Sequence, residues 1–131
     1  MVQATDGNFY GTTSSGGVAN CPDGCGTIFK ITPSGTLTTL YSFCSIGRCA
    51  DGTYPTAAPV QATDGNFYGT TYGGGANLSG TVFKITPNGA LTTLYSFCPA
   101  NGCADGLFPA AGLVQAGDGN SYGTTDEGGT Q

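Results

Sequence analysis

The sequence predicts an all-β fold built from tandem four-stranded antiparallel units. Three observations predict it: the chain repeats itself, each copy breaks into short β-like runs between turn residues, and no stretch has helical periodicity with caps. The repeat is clearest over residues 60–97, VQATDGNFYGTTYGGGANLSGTVFKITPNGALTTLYSF. A repeat of this size indicates structural units that stack on one another.

The triplet Asp-Gly-Asn sets the register of the copies. It begins at Asp6, Asp64 and Asp118, so the steps are 64 − 6 = 58 and 118 − 64 = 54 residues. The difference of four lies in a Gly/Asn-rich tract, where a surface loop absorbs changes in length. We therefore predict a single repeat domain over residues 1–131, with units at about 2–59 and about 60–113 and a half unit at 114–131.

Each copy contains four β-like runs, which in the middle copy are residues 60–63, 66–71, 81–86 and 90–97. Asp64-Gly65 predicts a two-residue type I′ hairpin turn, and Pro87-Asn88-Gly89 predicts a second turn. Four strands in this length are the size of a β-propeller blade. Gly11 and Gly69, at equivalent positions in the second strand, are predicted to allow close packing between blades or at the propeller axis.

The number of units predicts an open array. A closed propeller needs at least four blades, so about two and a half propeller-type blades leave the ends of the array uncovered. The chain starts on a first strand and stops after a second, so its ends do not complement each other, and contacts that do not close generate filaments. Met1 stands where the third copy has Leu113, and we expect a fragment of a longer repeat protein or an unusually short array.

Composition narrows the class of protein. Charged residues make up 8% of the chain, against about a quarter in ordinary domains, so uncharged polar side chains and glycine backbone must cover the surface. This favours an extracellular or cell-surface protein over a cytosolic enzyme. The net charge is −5 with three basic residues, so we expect no binding to nucleic acid. No apolar run is long enough for membrane insertion.

The six cysteines predict three local disulfides, Cys21–Cys25, Cys44–Cys49 and Cys98–Cys103. The last two pairs occupy the same place in successive copies, whereas the first pair lies in an insertion that the second copy lacks. Cysteines that appear and disappear together are typical of bonded partners. Each small loop contributes about 2 kcal/mol, and disulfides imply an oxidising compartment. Reduced thiols and a zinc site built from two C-x4-C pairs are the alternatives.

The chain has no histidine, which removes the usual general base and the usual metal ligand. We therefore expect no enzyme activity, no catalytic residues and no cofactor. Asp6, Asp64 and Asp118 are interpreted as turn residues. Calcium coordination by these Asp-Gly loops, together with neighbouring carbonyls, is the alternative.

Aromatic side chains provide the candidate ligand-binding residues. One hypothesis is a face that binds polysaccharide or another ligand, made by Tyr10, Tyr68, Tyr72 and Tyr122, with Tyr54 and Phe108 beside them. The alternative is that these aromatic side chains pack between blades.

The pattern DGNFYGTTYGGG…GTVFKITPNGALTTLYSF resembles the Gloeo-Verruco (GloVer) tandem repeat of bacterial secreted and surface proteins, over essentially the whole chain. It is more loosely similar to NHL-type and lyase-type propeller blades, which share the DGN…Y turn and the F-K-I-x-P-x-G hairpin. The resemblance implies propeller-like blades and supplies no catalytic residues. Members of the family often sit in long arrays with surface-anchoring segments.

These observations predict a non-enzymatic extracellular structural or adhesive protein that associates with itself through its open blade ends, as a homo-oligomer or a filament. The alternative is a carbohydrate- or ligand-binding fragment of a larger secreted β-propeller.

Overall fold

The computed structural model of the protein describes residues 1–18 and 21–130. It contains antiparallel sheets whose strands follow the order of the chain. Sheet 1 consists of β1 (Val2–Gln3), β2 (Phe9–Thr13), β3 (Thr27–Ile31) and β4 (Leu37–Ser42). Sheet 2 consists of β5 (Val60–Gln61), β6 (Phe67–Thr71), β7 (Thr81–Ile85) and β8 (Leu91–Ser96). Sheet 3 consists of β9 (Val114–Gln115) and β10 (Ser121–Tyr122).

The predicted all-β fold of tandem four-stranded antiparallel units is therefore confirmed. The strands of the middle unit are one or two residues shorter than the predicted runs, because the turn residues at their ends belong to the loops. Within the described ranges, helical structure is limited to the short 3-10 turn Gly47–Cys49. That part of the chain holds no helix with the length and apolar character needed to cross a membrane.

The first hairpin turn of the unit differs from the predicted type I′ turn. The Gly65 N–H donates to the Ala62 carbonyl at 2.9 Å, and the Ala62 N–H donates to the Asn66 carbonyl at 2.9 Å, so the loop has three residues. Gly65 has a φ of 83°, whereas Asp64 lies outside the left-handed region. This is a type I turn followed by a glycine bulge. The Asp64 carboxylate accounts for the difference, because it accepts the Asn66 N–H at 2.9 Å in an Asx turn.

The core lies between sheet 1 and sheet 2. Directly paired residues of antiparallel strands share a face, so Phe67, which is opposite Ile85, lies on the same side of sheet 2 as Phe83. On that side Phe67 stacks on Tyr10 with ring centroids 4.1 Å apart, and Phe83 lies 5.4 Å from Phe43. All four rings are buried. This aromatic contact joins the two sheets.

Gly69 makes room for the Phe83 ring within sheet 2. The two residues are opposite each other in β6 and β7, and a Cβ at residue 69 would lie 2.5 Å from Phe83 Cζ. Gly11 has the same relation to Phe29 in sheet 1. The prediction that these glycines allow packing between blades is wrong, because a ring from the neighbouring strand of the same sheet takes the space.

The same hydrogen bonds connect sheet 1 to sheet 2 and sheet 2 to sheet 3. Gln61 Oε1 accepts the Thr5 N–H at 2.9 Å. Gln115 Oε1 accepts the Thr63 N–H at 3.1 Å. Two further bonds repeat in the same way, Thr12 Oγ1 to the Ala57 carbonyl and Thr70 Oγ1 to the Ala111 carbonyl. Each unit is therefore joined to the next by the same polar contacts.

The structure pairs the cysteines as predicted, in the disulfides Cys21–Cys25, Cys44–Cys49 and Cys98–Cys103. Each bond closes a loop within one unit. Three disulfides in a chain of this size indicate an oxidising environment.

Candidate functional site

The Asp-Gly-Asn-x-Tyr motif forms a hydrogen-bonded network at the first hairpin of every unit. In the second unit the Asp64 carboxylate accepts the Tyr68 hydroxyl at 2.7 Å, the Asn66 N–H at 2.9 Å and the Asn66 side-chain amide at 3.1 Å. Asp6 and Asp118 accept the same three hydrogen bonds at 2.8 to 3.2 Å. The three aspartates therefore stabilise the turns that contain them.

These hydrogen bonds favour the charged form of the carboxylates. The pKa of Asp64 is lowered first by the Tyr68 hydroxyl and then by Asn66. The pKa of Asp118 is lowered first by the Asn120 N–H and then by the side chains around it. The turns consequently keep these aspartates ionised at neutral pH.

In the equivalent turn of the first unit, burial also affects the pKa values of Asp6 and Tyr10. Burial raises the pKa of Asp6, but the hydrogen bonds from Asn8 and Tyr10 outweigh it and the pKa is lowered. Burial, together with the hydrogen bond to Asp6, raises the pKa of Tyr10 to about 12. Tyr10 thus remains a protonated donor well above neutral pH.

The three aspartates belong to three different turns. Within residues 1–18 and 21–130, one group of metal-ligating side chains is close enough to share a metal ion. It consists of four cysteines, Cys21, Cys25, Cys44 and Cys49. Calcium binding at Asp6, Asp64 and Asp118 therefore has no cluster of carboxylates behind it and stays an untested hypothesis.

A second aspartate–tyrosine pair holds the C-x4-C loop, and sequence reasoning missed it. Asp51 is buried and accepts the Tyr41 hydroxyl at 2.8 Å and the Ser45 N–H at 2.9 Å. Asp105 accepts the Tyr95 hydroxyl at 2.7 Å in the second unit. The signal was present in both copies, because the tyrosine stands ten residues before the aspartate and the two flank the same loop.

One tyrosine position shows how coverage changes along the array. Tyr10, Tyr68 and Tyr122 are equivalent residues of the three units. Tyr10 is 1% exposed, Tyr68 is half-buried and Tyr122 is 54% exposed. Phe67 of the second unit covers Tyr10, but Ser121 stands at that position in the third unit. The stacking contact of the first two units is therefore not repeated between the second and third.

A cavity of about 620 Å³ opens where that contact is missing. Tyr68 of sheet 2 and Ser121 of sheet 3 both line the cavity. Phe83, on the third strand of sheet 2, covers Phe43 of the first unit. Among the described residues sheet 3 has two strands, so no equivalent phenylalanine covers Phe97. Phe97 is half-buried as a result, whereas Phe43 is fully buried.

Two faces at the ends of the array carry uncovered apolar side chains. On sheet 1, Phe9, Phe29 and Ile31 lie on the side away from sheet 2 and are half-buried. We call this the head face; its residues are equivalent to the buried Phe67, Phe83 and Ile85. On sheet 3, Val114 and Tyr122 are paired across the strands and are 63% and 54% exposed. We call this the tail face.

The four tyrosines predicted to bind a ligand do not form one face. Tyr10 is buried between sheets 1 and 2, so the prediction that its ring meets a ligand is wrong. Tyr68 lines the cavity between sheets 2 and 3, and Tyr122 belongs to the tail face. Tyr72 stacks on Phe108, with ring centroids 5.0 Å apart. Packing between units, the alternative interpretation, accounts for Tyr10.

Sheet order, repeated contacts between units and uncovered end faces define a tandem-repeat protein of the all-β class. The family model of the Gloeobacter/Verrucomicrobia repeat matches residues 1–131. The chain belongs to this repeat family, as the resemblance of its sequence predicts. Comparison with curated proteins and with solved structures gave no match.

Proposed function

We propose that this chain is a non-enzymatic, secreted structural repeat protein that associates with itself head to tail. The tail face of one molecule binds the head face of the next. The observation that supports this most strongly is the buried contact between sheets 1 and 2, because residues equivalent to its two sides are uncovered at the ends of the array. The disulfides and the low share of charged residues fit a durable extracellular structure.

The internal contact supplies a model for the contact between molecules. Tyr10 stacks on Phe67 inside the chain, so Tyr122 would stack on Phe9 of the next molecule. Aromatic pairs of this kind contribute about 0.5–1.5 kcal/mol beyond the area they bury.

A polar contact of the array extends the same way. Gln61 Oε1 accepts the N–H of Thr5, the residue before the Asp-Gly-Asn turn. In the proposed arrangement Gln3 of the next molecule accepts the N–H of Gly117, which precedes the third turn. Stacking and hydrogen bonding together would set one relative orientation of the two molecules.

The two faces differ from each other, so the contact is heterologous. Heterologous contacts give rings when the rotation closes and filaments when it does not. Because sheet 3 has two strands among the described residues, the tail face is smaller than its internal counterpart. We therefore expect association that reverses on dilution.

Mixing two complementary variants tests the proposal. Phe9→Ser removes the ring from the head face, and Tyr122→Ser removes the ring from the tail face. Each variant alone has lost one partner of every contact and should sediment as a monomer. An equimolar mixture should form a heterodimer, because the intact tail of one variant meets the intact head of the other.

The control variant is Val18→Ser, which changes a side chain that is 94% exposed in a loop outside both faces. It should assemble as the unmodified chain does. Monomers in the mixture of the two face variants, alongside assembly of the control, would refute head-to-tail association through these faces.

Carbohydrate binding is a second candidate function, favoured by the cavity between sheets 2 and 3. A tyrosine ring, Tyr68, lies there with the polar side chains of Asp105 and Asn120, a combination suited to a sugar. Retention of the chain on a polysaccharide column that Tyr68→Ala abolishes would support this candidate. Tyr54→Ala is the control, because Tyr54 is 38% exposed and does not line the cavity.

A further inference from the structure

The first unit brings together four cysteine sulfurs that are far apart in the sequence. The Sγ atoms of Cys21, Cys25, Cys44 and Cys49 all lie within 4.8 Å of one another. Cys25 and Cys44 are buried, at 0% and 7% exposure, and the other two are half-buried. Two disulfides therefore lie side by side at one edge of the core.

Backbone hydrogen bonds hold these cysteines in place independently of the disulfides. The Cys25 carbonyl accepts the Tyr54 N–H at 2.8 Å. The Cys49 carbonyl accepts the N–H groups of Gly52 and Gly75, each at 2.9 Å. The buried Asp51 carboxylate adds a bond from the Ser45 N–H, next to Cys44. Reduction of the two S–S bonds would leave all of these contacts available.

Four thiolates at this spacing match the ligand set of a structural zinc site. Tetrahedral Zn²⁺ binds Cys sulfur at about 2.3 Å, which places the sulfurs about 3.8 Å from one another, inside the limit that the structure sets. We propose that the reduced chain binds one Zn²⁺ ion through Cys21, Cys25, Cys44 and Cys49. The site differs from the two C-x4-C pairs considered from sequence, because Cys98 and Cys103 do not belong to the cluster.

The second unit is a natural control for this site. Its Cys98 and Cys103 are equivalent to Cys44 and Cys49. Ser79 is the equivalent of Cys25 in the second unit. The Ser79 carbonyl accepts the Phe108 N–H, just as the Cys25 carbonyl accepts the Tyr54 N–H. The second unit therefore offers two thiolates, and zinc needs four ligands in a structural site.

Disulfide and metal are alternative states of the same four residues. A phosphine reductant converts each disulfide to two thiols, and the phosphorus is oxidised to phosphine oxide with the oxygen of one water molecule. Four thiols then bind Zn²⁺ as thiolates and release four protons, so binding weakens as the pH falls. The inference uses residues outside the head and tail faces and does not depend on the proposed function.

Cobalt(II) is the probe that tests the site. The full-length chain is reduced with phosphine under argon, the phosphine is removed, and Co²⁺ is titrated in. We expect a sulfur-to-cobalt charge-transfer band and the d–d bands of a tetrahedral sulfur site, saturating at one ion per chain and erased by Zn²⁺. The oxidised chain should give neither band, and far-UV circular dichroism follows the fold throughout.

Two double variants assign the ligands. The double variant Cys21→Ser with Cys25→Ser should abolish the bands, because it leaves the first unit with two thiolates, as many as the second unit has. Cys98→Ser with Cys103→Ser should leave intensity and stoichiometry unchanged. Absence of the bands in the reduced chain, folded or unfolded, overturns the proposal. Bands that survive in the first variant or disappear in the second overturn it equally.

Discussion

Replacing Phe67 by serine tests the contact on which the array depends. Phe67 is 1% exposed and stacks on Tyr10 with a centroid distance of 4.1 Å. Truncating a buried phenylalanine costs about 3–5 kcal/mol. Serine is also what the third unit carries at this position, Ser121, so the variant makes the first interface resemble the second. We expect a loss of roughly 4 kcal/mol in the free energy of unfolding, estimated from the burial of the whole ring.

The matched control is Phe9→Ser, the same substitution at the same place in the repeat. Phe9 is half-buried on the head face, so its loss should cost about half as much. Urea unfolding followed by tyrosine fluorescence measures both variants. A milder variant, Phe67→Leu, should cost about 1–1.5 kcal/mol, mainly through the lost aromatic pair, and gives a reading if Phe67→Ser does not fold. Equal losses for Phe67→Ser and Phe9→Ser would refute the packing of sheet 2 on sheet 1.

The reverse substitution, Ser121→Phe, should place a ring over Tyr68 and close part of the cavity. Ser121 and Tyr68 both line that cavity. We expect a gain of about 0.5–1.5 kcal/mol, the contribution of an aromatic pair, measured in the same urea experiment. No gain would mean that sheet 3 does not face sheet 2 as sheet 2 faces sheet 1.

Four further predictions concern the titration of two side chains, a glycine and a disulfide bond. The pKa of Asp64 is lower in the folded chain than in the unfolded chain, where it is near 3.9. The ionised carboxylate therefore stabilises the fold above about pH 3.9, and this stabilisation is lost as the pH falls through the folded pKa. Asp64→Asn should flatten the acid side of a plot of urea midpoint against pH. The pKa of Tyr10 is raised to about 12, so its contribution to stability is complete below about pH 10 and is lost as the pH rises through the folded pKa. Tyr10→Phe should therefore remove one tyrosine step near pH 12 from a spectrophotometric titration. Gly69→Ala forces the Phe83 ring aside and should cost about 1–3 kcal/mol, whereas Gly117→Ala, with nothing within 4 Å, should cost far less. Replacing Cys98 and Cys103 by serine should lower stability by about 2 kcal/mol.

Much of the fold follows from local patterns. Alternating apolar residues and turn residues predict the strands, and the recurrence of the motif predicts that the sheets are alike. The cysteine pairs follow from their joint presence or absence in the copies. All of these features depend on residues close together in the sequence.

The remaining features depend on contacts between distant parts of the chain. The sequence shows that serine replaces phenylalanine at residue 121. The missing contact between sheets 2 and 3 follows only when the structure shows that Phe67 covers Tyr10. The proximity of Cys21 and Cys44 arises from the packing of two separate loops, which spacing does not encode. The type I′ assignment failed at Asp64 because a side-chain hydrogen bond decided the backbone conformation.

The central claim is that uncovered end faces bring molecules of this protein together, and its most direct test is the mass of the non-reduced chain as a function of concentration. Analytical ultracentrifugation should show the monomer, 13.0 kDa, at the lowest concentration. The weight-average mass should rise steadily above that value as the concentration increases, and Tyr122→Ser should abolish the rise. A chain that stays at 13.0 kDa throughout, or a rise that Tyr122→Ser leaves intact, would contradict the account.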